Sequence, residues 1–135
     1  MNRTLILLAG VFPLLAWAVL PDDAYTDLRE SASTIISGIV VSIGETGKNE
    51  NDTFYRATVE VTAVERGDVE VGETIYIDYS VPNEEMPGPG HLMIWPNASF
   101  RLWLNGGDGV YAPAAYKRSA TEIEGEKRAG SKGLD

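Results

Sequence analysis

A chain of 135 residues suits one domain with a small core, and the absence of cysteine removes thiol nucleophiles, thiolate metal sites and disulfide staples. The formal net charge of −9 excludes the basic footprint that nucleic-acid binding needs and argues against an anionic lipid surface. Acidity of this size reads first as solubility.

The N-terminus carries an export pattern. Arg3 supplies a positive start, "LILLAGVFPLLAWAVL" an apolar stretch, and Ala16-Trp17-Ala18 the small residues that signal peptidase reads. The expectation is a signal over residues 1–18, cut after Ala18, and a secreted or periplasmic location. Pro13 and the shortness of the run argue against a retained anchor, since a span needs roughly 20 apolar residues. Stable membrane insertion is therefore not expected once the signal is gone. An exported domain without cysteine leans towards a bacterial envelope.

Pro21 with Asp22-Asp23 suits a helix start, and a short helix is expected over about 23–31. "TIISGIVVSIGE" is β-branched, with Ile39, Val41 and Ile43 expected on one face and Gly38 marking a bulge or bend. After the polar loop "TGKNENDT", the stretch 54–66 alternates. Tyr55, Ala57, Val59, Val61 and Ala63 take the buried face, opposite Arg56, Thr58, Glu60 and Thr62. Glycines in "RGDVEVGE" break the rhythm, and Ile75 and Ile77 resume it, with Thr74, Tyr76 and Asp78 outward. The two strands predict an antiparallel hairpin.

"VPNEEMPGPG" is a loop, and "HLMIWP" is a short strand or irregular backbone. In "SFRLWLN", Phe100, Leu102 and Leu104 point inward and Arg101 and Trp103 outward. "GGDG" signals a tight hairpin, and "VYAPAA" returns as a last strand, with Pro113 suggesting an edge. From residue 117 the chain reads as a charged, flexible tail. The prediction is an all-β domain over 19–116: a small, five-stranded, partly open barrel with a short N-terminal helix. A two-sheet sandwich uses the same alternation and stays open.

The order "STIISGIVVSIGE", "YRATVEVTAVERGDVEVGETIYI", a Gly/Pro loop and "SFRLWLNGGDGVYAP" resembles the netrin-module/tissue-inhibitor-of-metalloproteinases-like (NTR/TIMP-like) barrels of bacterial secreted proteins, over residues 33–115. The resemblance implies an oligonucleotide/oligosaccharide-binding (OB) type fold. The animal inhibitors of that family chelate a protease zinc through an N-terminal cysteine. This chain has none, so that mechanism does not carry over.

The leading site candidate joins Trp103 and Tyr76, expected outward, with Arg101 on the Trp103 face and Trp95 and Tyr111 near the loops, a surface for a protein, peptide or saccharide partner of the envelope. The competing expectation is that the N-terminal helix and C-terminal tail cover this face. The single histidine, His91, shares a loop with Glu84 and Glu85, a weak metal or hydrolase candidate whose glycine-rich spacing fixes no geometry. The Asn105–Gly109 run has one carboxylate and reads as a turn rather than a calcium loop. Glu60 and Asp78 read as solvated charges, and Asn51 and Asn97 begin glycosylation tripeptides that matter only in a eukaryotic secretory setting. The reading is a non-catalytic binding module with no cofactor, using this face and the loop at 81–96. The alternatives are a small hydrolase or metal-dependent enzyme at Glu84/Glu85/His91, and a structural accessory subunit.

Overall fold

The computed structural model describes residues 21–84 and 88–123. The segment 1–18 expected to be an export signal, Glu85 and the tail from 124 lie outside the described residues. Elements run α1 (Asp22–Glu30), β1 (Thr34–Lys48), β2 (Asp52–Arg66), β3 (Thr74–Pro82), β4 (Ser99–Gly107), β5 (Val110–Pro113), a 3-10 turn (Tyr116–Ser119) and β6 (Ala120–Glu122). The sheet order is β1-β2-β3-β5-β4, and a β1–β4 pairing closes it into a five-stranded barrel. The pairings are antiparallel except β3 with β5, so the barrel is mixed and OB-like. No helix among the described residues is long and apolar enough to cross a membrane.

Closure follows from the inward rows. Ile36 and Val40 of β1, Val59 of β2, Ile75 and Ile77 of β3, and Leu102 and Leu104 of β4 are fully buried and meet in one cluster. That shared interior removes apolar side chains from water on every wall, and closure leaves few exposed edges.

The β1–β2 register shifts at four places, and two of these bulges overturn the expected alternation. The register jumps from Val40↔Val59 to Ser42↔Thr58, so Val41 stands extra and 54% exposed. The row expected through Ile39, Val41 and Ile43 is therefore broken; Ile36, Val40 and Ile43 face the core instead. Likewise Gly38 pairs with Val61 but Ser37 with Ala63, which leaves Thr62 unpaired. Ala63 is turned out and Val64 packs on the core in its place. A bulge reverses which alternate residues face inward and coils the strand, as two 15-residue strands wrapping a small barrel must.

The β4–β5 hairpin turns on Asp108 and Gly109, with φ of 57° and 82°, the positive pair that a two-residue primed turn uses. Residues 91–98 form no regular element, yet Leu92 and Ala98 are buried in the core. The folded unit also runs past residue 116, beyond the expected boundary. The 3-10 turn leads into β6, which pairs with β4 at Phe100, Arg101 and Leu102, and the Ile123 N–H donates to the Ser99 carbonyl at 2.9 Å. This strand is three residues long, too short to leave a periodic trace.

Candidate functional site

The leading aromatics do not form one surface. Trp103 does point out of the barrel, but it is 6% exposed, packed with Ala32, Ile35 and Ala114. Arg29 of α1 lies 3.8 Å over its ring and Arg101 4.7 Å. Arg101 is itself held by Glu65 through two hydrogen bonds of 2.7 and 2.6 Å. Tyr111 is 5% exposed and belongs to the core cluster, because alternation on β5 turns it inward. Trp95 stands edge-on to Phe100 with ring centres 5.0 Å apart. Tyr76 stays outward, with Arg56 5.2 Å over its ring.

The cavity geometry points elsewhere, to the end of β3. β6 and β5 occupy the same edge of β4, opposite β1: Leu102 pairs with both Ile36 and Ala120, and Leu104 with both Thr34 and Pro113. β3 meets β5 only at Tyr76 and Ile77. Beyond them the wall splits, and a cleft of about 880 Å³ opens there. β3 supplies Asp78, Tyr79 and Ser80, the loop after it Glu84 and His91, and the far wall Pro113 and Tyr116. Leu28 of α1 and Asp52 of β2 complete the rim, and a smaller hollow adjoins on the other side of Tyr79.

Side-chain hydrogen bonds brace this end. The Asn49 side chain accepts from the N–H groups of Asn51 and Asp52, both at 2.8 Å, which shapes the β1–β2 turn. Asn83 then ties that turn to the end of β3: its Nδ2 donates to the Asn49 and Glu50 carbonyls, and its Oδ1 accepts from Thr53 Oγ1. Across the cleft, the Tyr25 hydroxyl donates to the Pro89 carbonyl at 3.4 Å. These braces fix where Asp52, Tyr79 and the 88–92 segment stand.

The electrostatics are mixed. Asp78 accepts two hydrogen bonds from Arg56, at 2.6 and 2.8 Å, and these hold its carboxyl below the usual range. Asp52 and Glu84 add carboxylates to the same rim. His91 Nδ1 lies 2.9 Å from the Leu92 carbonyl, which can only accept, so Nδ1 carries the proton in that contact. Among the described residues no three of His, Cys, Asp and Glu gather as a metal site.

Tyr79 stacks on Tyr55 at 5.6 Å, and burial, then its neighbour Tyr55, pushes its hydroxyl above the ordinary tyrosine value. The sign is clear. An unfolded tyrosine ionises near pH 10 while the folded one resists, so the stabilisation is complete below about pH 10 and is lost as pH rises through the raised folded value. Tyr79→Phe is expected to flatten part of the alkaline fall in melting temperature. Tyr111, raised mainly by burial, keeps its own share. An unchanged alkaline slope would remove Tyr79 from this role.

The residues missed from sequence are Tyr55, Tyr79, Tyr116 and Asp52. A signal was present for two of them: Tyr55 and Tyr79 lie opposite each other towards one end of the inward rows of neighbouring strands, where an apolar ring with a polar tip suits a barrel mouth. No protein-family model and no curated protein sequence matches the chain.

Proposed function

We propose that the chain is an exported, non-catalytic binding module and that its ligand sits in the cleft beside the end of β3. One observation carries the reading: a concavity within the roughly 300–1,000 Å³ range of small-ligand sites, rimmed by two tyrosines and the carboxylates of Asp52 and Glu84. Tyrosine faces and carboxylates together suit a cationic ligand, through ring–cation attraction and charge-assisted hydrogen bonds. Export rests on the pattern at residues 1–18. The NTR/TIMP-like resemblance agrees with a binding scaffold and adds no activity.

The test uses a defined probe, the capped peptide acetyl-Lys-Thr-Lys-Thr-Lys-Thr-Lys-amide. Titrated into isotope-labelled protein, it is expected to shift the amides of Tyr79, Ser80, His91 and Tyr116. The double variant Tyr116→Ala with Glu84→Gln, both exposed positions, is expected to bind about tenfold more weakly at an unchanged melting temperature. Equal affinity in that variant, or shifts confined to the Trp103 and Arg101 face, would overturn the assignment.

A second reading, a hydrolase centred on His91 and Glu84, draws support from the Nδ1 contact with Leu92. That contact orients the ring and leaves Nε2 as the nitrogen able to take a proton. Its check is hydrolysis of p-nitrophenyl acetate: equal rates for the parent and His91→Gln end it.

A further inference from the structure

We infer that the cleft takes its ligand as an added β-strand: a short, extended, basic peptide pairing with β3 at residues 78–82. This rests on the cleft reading above and specifies the mode of binding.

The Tyr76 N–H donates to the Gly109 carbonyl at 2.8 Å, so residue 76 aims its backbone groups at β5. The β2–β3 register is unbroken from Thr74 to Pro82, and strand residues alternate sides. Asp78, Ser80 and Pro82 therefore aim their backbone groups the same way, while Tyr79 and Val81 aim theirs at β2. In the parallel register Tyr76↔Val110 and Ile77↔Tyr111, the next donor β5 offers to β3 is residue 113, a proline without an N–H. The chain then leaves: the Ala114 N–H donates to the Trp103 carbonyl at 3.0 Å.

Past that point β3 pairs only with β2 among the described residues. The Asp78 carbonyl, both backbone groups of Ser80 and the Pro82 carbonyl face the cleft. They present three acceptors and one donor, a set that an extended peptide satisfies by exchanging two bonds with Ser80 and donating one to each neighbour. Ser80 is exposed. Pro82 ends the edge, which limits pairing to a few residues and blunts open-ended association.

Charge selects the occupant. The carboxylates of Asp52 and Glu84 rim the cleft of a chain with net charge −9, so lysine or arginine on the added strand is favoured. A second copy of the chain would bring like charge to the same edge.

The test adds two backbone-methylated forms of the same heptapeptide, one methylated at odd residues and one at even residues. Every second N–H of an added strand faces β3. One form is therefore expected to bind like the parent and the other at least about tenfold more weakly. Hydrogen exchange at the Ser80 amide is expected to slow by about the same factor when the parent peptide saturates the protein. If both methylated forms bind as the parent does, strand addition is wrong while the cleft reading stands. If the parent shifts no β3 amide, both fail. A dimer in sedimentation that the peptide dissociates would assign the edge to a second copy and overturn the choice of occupant.

Discussion

Trp103→Ala is expected to cost about 3–5 kcal/mol of unfolding free energy, as truncation of a large buried aromatic does. Part of the cost comes through α1. This helix has nine residues, too few to stand alone in water, and tertiary contacts must hold it. Its last turn places Arg29 over the Trp103 ring, and Arg29 Nε donates to the Arg118 carbonyl at 2.7 Å. Its first turn places Asp22 3.0 Å from Arg118, whose guanidinium lies 4.6 Å from the Tyr25 ring. Arg66 closes the C-terminal end by donating to the carbonyls of Glu30 and Ala32 at 2.6 and 2.9 Å.

Removing the indole empties a site lined by Ala32, Ile35 and Ala114. It also leaves Arg29, already pushed below its ordinary pKa by burial and then by Arg118 and Arg101, without its flat partner. Urea unfolding of Trp103→Ala beside Trp103→Phe measures this, and the phenylalanine is expected to recover part of the loss. The same variants separate the two roles offered for this face. A ligand platform would lose binding and keep its stability; a covered face does the reverse. Loss of less than about 0.5 kcal/mol would mean that Trp103 behaves as a surface residue.

How legible each feature was follows its range in the chain. The inward rows were readable because alternation is local: Val59, Ile77 and Leu102 could be assigned one face from their neighbours, and they meet at full burial. The bulge beside Gly38 was signalled by that glycine, though not which partner residue, Thr62, would stand extra; the one at Val41 was not readable, because an extra residue exists only relative to a partner strand. Trp103 could be read as pointing out of the barrel. What covers it is Arg29 of α1, Arg101 and the small apolar group of Ala32, Ile35 and Ala114; the helix itself was legible from its proline and acidic start, but which side chains close over the indole was a matter of tertiary packing. The cleft depended on the longest-range fact, that Pro113 falls where β3 needs its next donor. The proline was visible as an edge signal; its position against Asp78 was a matter of tertiary register.

Gly38→Ala is expected to destabilise by about 2–3 kcal/mol, although it adds one methyl to a strand and supplies a residue with less entropy to lose. The site explains the sign. Residues 34–39 of β1 pair on one edge with β4 and, from Ile35 on, on the other with β2, so this stretch is the seam that closes the barrel. A Cβ on residue 38 would lie 2.6 Å from Val59 Cγ1 and 2.8 Å from the Glu60 carbonyl oxygen. Val59 is fully buried and cannot swing aside, and Glu60 O is backbone of the neighbouring strand. Relief therefore requires β1 and β2 to part at the bulge beside Thr62. Gly44, six residues along the same strand, is the control: a Cβ there meets nothing within 4 Å. Gly44→Ala is expected to stabilise by about 0.4–1 kcal/mol, through the unfolded chain alone. Chemical unfolding of the pair should give opposite signs. The same sign for both would mean that strand propensity outweighs the close approach at the seam, and that closure does not depend on a missing side chain at residue 38.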